Sequence, residues 1–422
     1  MKYKNLDLAQ LTDDEALFFV RIHGKKGIFG QYYPTPFLNE FENVKQYKTI
    51  SEYECGDVYI NLENTKIESI TNEEFDLFSK ILDTNDLIYR CRGLRNIPIA
   101  ESQELIWKAA KFFNDYFSSN KKLKVIVSLI VDNYVMSIME AFANHFNIAS
   151  IQVIGFFVPG YHRLTEKGIG VSIREIGNEE VNSVYTKLVQ KSKSHYAIGK
   201  NIALKRAFRD YISFRFRFVQ RYLINYKLKG KLSYENRFAP YFKGCNTLKK
   251  TRIKDYFNSV EDITGHKDEY IFIPLHYHPE ATVDYWTDKY VYGDYLNSLI
   301  PIIAFCKSKG LKVILKEHPG YYLRRSIEFY KLIQKMDDVI LLNPFVSSQS
   351  VYDLADNVCV YTGSAGVEAI MLDKRVYTVS ENYYSFKRLP HLETYEKEKY
   401  PFYSEKEKKN LLKEILSSTI KS

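Results

Sequence analysis

The C-terminal half of the chain repeats one arrangement: a short apolar, β-branched run, a turn of polar and small residues, then a helical stretch. Val313-Ile314-Leu315 leads into Lys316-Glu317-His318-Pro319-Gly320. Val358-Cys359-Val360 leads into Thr362-Gly363-Ser364-Ala365-Gly366-Val367-Glu368-Ala369. Short continuous apolar runs are what parallel strands covered by helices on both faces require. Each polar motif then stands at a strand's carboxyl end, where open α/β sheets bind ligands.

The alternation runs through the whole chain. Residues 17–22, 58–62, 86–91, 124–131 and 150–158 read as strands, 102–117 and 135–146 as helices, with Ser102 as an N-cap. Further on, 270–275, 312–316, 339–342, 357–361 and 375–379 read as strands. Between them, 292–308, 324–335, 350–355 and 365–372 read as helices, with Gly310 as a C-cap and a last helix over 405–417. This is an α/β chain, and 422 residues exceed one ordinary core, so two Rossmann-like domains are expected. The expected division is 1–255, 256–395, and a closing helical segment over 396–422.

The net charge of +9 is concentrated: residues 205–254 hold 15 Lys/Arg against Asp210 and Glu235, so the rest of the chain sums to −4. Phe208, Tyr211, Phe214, Phe216, Phe218, Tyr222 and Tyr226 interleave with the basic residues, and no Gly or Pro interrupts 203–228, which suits a long helix. Such a segment serves as a solvated face or meets an anionic membrane surface or glycan. No nucleic-acid module surrounds it, and nucleic acid is not expected as a partner. The five cysteines have no CxxC spacing, Cys306 and Cys359 lie in apolar runs, and the N-terminus lacks a signal-peptide core. A cytoplasmic protein, peripheral to the membrane at most, is expected.

The two motifs suit a phosphate-bearing ligand. Gly363 permits a tight turn, and the amides that open the next helix favour an anion. The Thr362 and Ser364 hydroxyls can add hydrogen bonds, or Ser364 can be a plain N-cap with Glu368 supporting the helix start. Pro319 biases His318 toward extended geometry, aiming its imidazole off the sheet edge. His276-Tyr277-His278-Pro279-Glu280 closes a neighbouring strand; two histidines with one carboxylate are too few for a metal site, and no cofactor is expected.

Together, His276-x-His278-Pro279-Glu280, Lys316-Glu317-His318-Pro319 and Ser364-x-Gly366-x-Glu368-Ala369, over residues 270–384, resemble the bacterial capsule-polysaccharide synthesis glycosyltransferases. That group is similar to the Kdo transferases and the bacterial sialyl- and polysialyltransferases. The resemblance implies GT-B architecture, two Rossmann-like domains facing a cleft, and transfer of a sugar acid from a CMP-activated donor to a capsule or lipopolysaccharide acceptor without a metal. It places His318 and Pro319 at the CMP, Thr362 and Ser364 at its phosphate, and Glu368 near the nucleotide or at a structural helix start; Lys316, Gly363 and Gly366 of the same motifs are expected at the donor nucleotide with them.

The acidic-acidic-glycine signature of several sialyltransferases does not occur in the first half. The acceptor hydroxyl still needs a base. Asp132, ending the strongest N-terminal strand, and Glu280 are the candidates; Asp132 can equally cap the helix that follows. Arg92, Arg95, His276 and His278 are candidate substrate contacts, with His162 and Arg163 behind them. Two alternatives stay open: a CDP-glycerol-type polyol-phosphate transferase, and a non-catalytic protein that binds glycan or membrane. A UDP-sugar epimerase shares the architecture.

Overall fold

The computed structural model describes residues 6–20, 40–52, 56–190, 200–205, 208–209, 253–277, 281–286, 295–322, 325–379, 389–396 and 402–421. They fall into two compact units, one within 1–175 and 415–422, the other within 176–227 and 241–414.

The first unit is built on strands β1 (Ala16–Phe19), β2 (Lys48–Ser51), β3 (Val58–Tyr59), β4 (Val125–Ser128), β5 (Ala149–Gly155), β6 (Tyr161–Glu166) and β7 (Ile169–Gly170). Five of them form a parallel array in the order β3-β2-β1-β4-β5. β6 adds antiparallel to β5, and β7 to β6. The second unit carries β8 (Tyr270–Pro274), β9 (Lys312–Lys316), β10 (Val339–Leu342), β11 (Asn357–Val360) and β12 (Arg375–Thr378). Its order is β10-β9-β8-β11-β12, all parallel. Last in sequence, β13 (Thr419–Lys421) returns to the first sheet, antiparallel to β6.

Both parallel arrays thus follow the doubly wound order 3-2-1-4-5, and the expected pair of Rossmann-like α/β folds is present. In such a sheet the chain winds outward in both directions from its first strand. The topological switch point lies between the first and fourth strands, β1/β4 in one unit and β8/β11 in the other. The central strands are wholly buried, as their apolar runs require: Val125, Ile126 and Val127 in β4, Val313, Ile314 and Leu315 in β9. Cys306 and Cys359 belong to the second core, as their apolar surroundings predict. Gly310, at φ +75°, closes the helix Tyr295–Ser308 as expected.

Two local expectations are corrected. Residues 86–91 are not a strand but most of the helix Thr84–Arg90. Its three apolar residues fit either period. The deciding signals are Asp83, whose side chain accepts from the Asp86 amide at 2.9 Å, and the Arg90–Asp86 pair one turn apart. Ser102 is not an N-cap: the helix Ile99–Ser119 begins a turn earlier, after Pro98, and the buried Ser102 hydroxyl donates to the Leu94 carbonyl at 2.9 Å. The expected basic helix over 203–228 lies almost wholly outside the described residues. Among the described residues no helix is long and apolar enough to cross a membrane.

Candidate functional site

The carboxyl end of the second sheet gathers most of the residues singled out in the sequence. His276 follows β8, Lys316 to His318 end β9, and Thr362 to Ser364 follow β11. β8 lies between β9 and β11, so His276 stands between the other two motifs, at the switch point.

His276 is buried, and its Nε2 accepts the Thr362 amide N–H at 3.3 Å. Its ring meets Tyr361 edge-on, centroids 5.5 Å apart. The turn is tight at its next position: a Cβ on Gly363 would lie 3.3 Å from His276 Cε1, closer than most real contacts, so the ring would have to shift by a few tenths of an ångström to admit one. Burial, with the neighbouring His318 and the Arg325 charge, pushes the His276 pKa down to about 3. The imidazole is therefore neutral near pH 7, with its proton on Nδ1.

His318 has the opposite tautomer. Its Nδ1 accepts the Gly320 N–H at 3.1 Å, which leaves the ring proton on Nε2. Burial lowers its pKa to about 4; Glu317 opposes the shift, and Lys316 and Arg325 add to it. Tyr277 packs edge-on against the ring at 5.6 Å. Pro319 opens a short 3-10 turn over Pro319–Tyr321 that brings Gly320 under the imidazole. A neutral, part-buried imidazole with a fixed tautomer is a directional N–H donor.

The residues on either side of β9's last peptide point apart, as strand alternation demands. Lys316 is 7% exposed. Burial lowers its pKa to about 8, against the pull of Glu317 and Glu368. Glu317, 0% exposed, meets Arg325 and Tyr330 instead.

At the third motif, Ser364 occupies the N-cap position of the helix Ala365–Met371 but does not cap it. Its backbone is already helical, φ −59° and ψ −19°, so the hydroxyl is directed along the helix and donates to Glu368 Oε1 at 3.1 Å. The N-cap alternative for Ser364 fails for that reason. Burial raises the Glu368 pKa, opposed by the Ser364 bond and by Lys316. Thr362 is 2% exposed, and among the described residues none bonds its hydroxyl oxygen. Gly366 is buried against the core.

The site therefore offers neutral donors (His318 Nε2–H and the Thr362 hydroxyl) and one buried lysine, beside the start of the helix Ala365–Met371. That set suits an oxyanion beside a polar ligand. Among the described residues no group of three or more His, Cys, Asp or Glu is arranged to hold a metal. His278 and Glu280 lie outside the described residues.

Asp132 lies after β4, at the first unit's own switch point. The alternative reading of it as a helix cap is corrected: Asn133 caps the helix Tyr134–His145, accepting the Met136 N–H at 2.8 Å while its amide donates to Glu52. Arg92 and Arg95 follow a helix, not a strand, so the strand-end ground for choosing them is gone; Arg95 donates to the Tyr89 carbonyl at 3.1 Å. Arg163 is fully buried and bonds Ser418 at 3.1 Å, an internal tie between β6 and the start of β13. Sequence reasoning missed Arg325, Tyr330, Tyr277 and Tyr361. They are ordinary surface or core residue types, and no spacing marks them.

No protein-family model matches the chain, and no curated protein matches it. Among solved structures, a KpsC β-Kdo 2,7-transferase from Thermosulfurimonas dismutans is similar, with 14% identity and a TM-score of 0.36 over 74% of this chain and 82% of that one. The UDP-GlcNAc 2-epimerase of Methanocaldococcus jannaschii matches at 11% identity and a TM-score of 0.27, over 94% and 98%. The wall teichoic acid polymerase TagF matches at 9% identity and a TM-score of 0.21, over 90% and 73%.

Proposed function

We propose that the protein is a GT-B-type glycosyltransferase whose second unit binds a CMP-activated sugar acid, of Kdo or nonulosonic type, and passes the sugar to a bacterial surface glycan. The observation that carries this reading is the convergence at the β8/β11 switch point: His276 receives the Thr362 amide while His318, one strand away, accepts the Gly320 N–H on Nδ1 and so carries its proton on Nε2. A CMP-sugar leaves behind one phosphate, whose charge in the transition state needs donors rather than obligatorily a metal. His318, Thr362 and the amides opening the helix Ala365–Met371 are assigned to that phosphate, and Lys316 supplies the positive charge. Glu368, whose carboxylate is part-shielded by Ser364, is assigned to the nucleotide's sugar hydroxyls. Asp132 is assigned as the base for the acceptor, with Glu280 as the other carboxylate to test.

Thermal unfolding with nucleotides is the direct test. Cytidine 5′-monophosphate at 100 times its Kd should stabilise the fold by about 2.7 kcal/mol. His318→Ala should remove the shift. Uridine nucleotides acting as well as cytidine ones, or no shift at all, would overturn the reading. CDP-glycerol acting in place of CMP-sugars would favour the polyol-phosphate alternative.

A further inference from the structure

Arg325 lies between β9 and the helix Ile327–Gln334, and it ties together the chain segments that carry the two histidines. Its Nε donates to Glu317 Oε2 at 2.7 Å and its Nη2 to Glu317 Oε1 at 2.9 Å, a bidentate pair. The same Nη2 donates to the His276 carbonyl at 2.9 Å. The guanidinium lies between two rings, 4.6 Å from the Tyr321 centroid and 4.8 Å from that of Phe329. Glu317 in turn accepts the Tyr330 hydroxyl at 2.8 Å and the His318 amide at 2.7 Å.

Arg325 therefore holds the backbone of His276 directly and that of His318 through Glu317. Each partner is an atom of the peptide that bears an imidazole of the site, or is one bond removed from it. A buried ion pair adds little net stability over an apolar replacement of equal volume. Its distinctive contribution is geometric: the planar fork fixes two strand ends at once, and a lysine cannot reproduce that.

We propose that Arg325, with Glu317, is a positioning residue that sets the orientation of both His276 and His318 toward the ligand. The inference rests on the reading of this site as one for a cytidine nucleotide. The structure gives the two rings opposite tautomers, Nδ1–H at His276 and Nε2–H at His318, and those tautomers report directly on whether the strand ends are held.

The test is side-chain nitrogen NMR of the histidines in the full chain, together with affinity for cytidine 5′-monophosphate. In the wild type both histidines should show single, opposite tautomers. Arg325→Lys keeps the charge but loses the fork. It should mix the tautomers of both histidines and weaken nucleotide binding on the order of tenfold. Ile333→Val, in the core of the neighbouring helix, lowers stability without touching the fork and should leave both tautomers intact. If Arg325→Lys does not fold, Glu317→Gln is read the same way. Unchanged tautomers in the variant, or equal mixing in Ile333→Val, would overturn the proposal. A wild-type protein that takes no cytidine 5′-monophosphate would overturn the nucleotide reading, and the tautomers alone would then judge Arg325.

Discussion

Two buried glutamates, one in each unit, are treated in opposite ways. Glu317 is 0% exposed and Glu140 2%. Burial alone would raise the pKa of both. At Glu317 the Arg325 charge, with hydrogen bonds from Arg325, Tyr330 and the His318 amide, outweighs burial and holds the carboxyl below its ordinary range. Glu140, in the helix Tyr134–His145, accepts from Gln152 Nε2 at 2.8 Å, from β5. Burial pushes its pKa up to about 7; Lys167 and the Gln152 bond oppose this, and Glu166 adds to it. When protonated, Glu140 can also donate to Gln152 Oε1, which among the described residues has no other partner. The same strand order thus carries a charged carboxylate at the carboxyl end of one sheet and, in the other unit's interior, one whose pKa is raised to about 7. Partners, not burial, set the charge.

The contrast can be broken one residue at a time. The chain has two tryptophans, Trp107 in the first unit and Trp286 in the second, so Trp→Phe at either lets fluorescence follow the other unit. The largest effect is expected from Arg325→Leu, which strands a buried carboxylate: about 3–5 kcal/mol of stability lost, read at Trp286 in a denaturant titration. A loss under 1 kcal/mol would mean that Glu317 simply takes up a proton at no cost.

The second effect is in pH. Glu140 has a folded pKa of about 7 against an ordinary 4.5, so its neutral form is the one the fold prefers. Its contribution is full below the unfolded value and is lost as pH rises toward and through 7, on the order of 3 kcal/mol. Glu140→Gln should flatten that arm of the curve at Trp107. Glu317 acts in the other direction, with a stabilisation full at neutral pH and lost as pH falls through its lowered folded pKa. A first unit whose stability does not change between pH 4.5 and 8 would contradict the assignment.

Third, adding Glu317→Leu to Arg325→Leu should recover on the order of 2 kcal/mol, because the uncompensated charge is gone, yet nucleotide binding should not return. The smallest effect separates neighbours at the first unit's switch point. Asn133→Ala should cost about 1 kcal/mol as a lost N-cap, and Asp132→Ala under about 0.5. Equal losses would return Asp132 to a structural role.

Much of this fold was legible because apolar periodicity is a local property. β4, β8, β9, β10, β11 and β12 stand where continuous apolar runs placed them, and the helices between them where 3.6-residue periodicity did. Residues 86–91 were misread because a short apolar run carries no period of its own and the Asp83 cap tipped the balance. Ser102 was misread for a related reason, and the N-cap alternative at Ser364 failed likewise: serine before an apolar stretch fits an N-cap, but whether it caps depends on its backbone dihedrals. At the site, the histidines and the Thr362–Ser364 turn were legible as motifs at strand ends. Arg325 was not, since its partners lie far apart along the chain: Glu317 8 residues away and the His276 carbonyl 49.

By itself the sequence determined the fold class, most of the strands and helices, and which polar motifs end strands, because hydrophobic pattern and turn chemistry act over a few residues. Only the tertiary structure decided that β8 lies between β9 and β11, and so that His276 bridges the two motifs. It also decided which buried carboxylate found a cation. Those outcomes depend on tertiary pairing, in which segments remote in sequence, such as Ile271 of β8 and Asn357 of β11, settle one another's hydrogen bonds and charge.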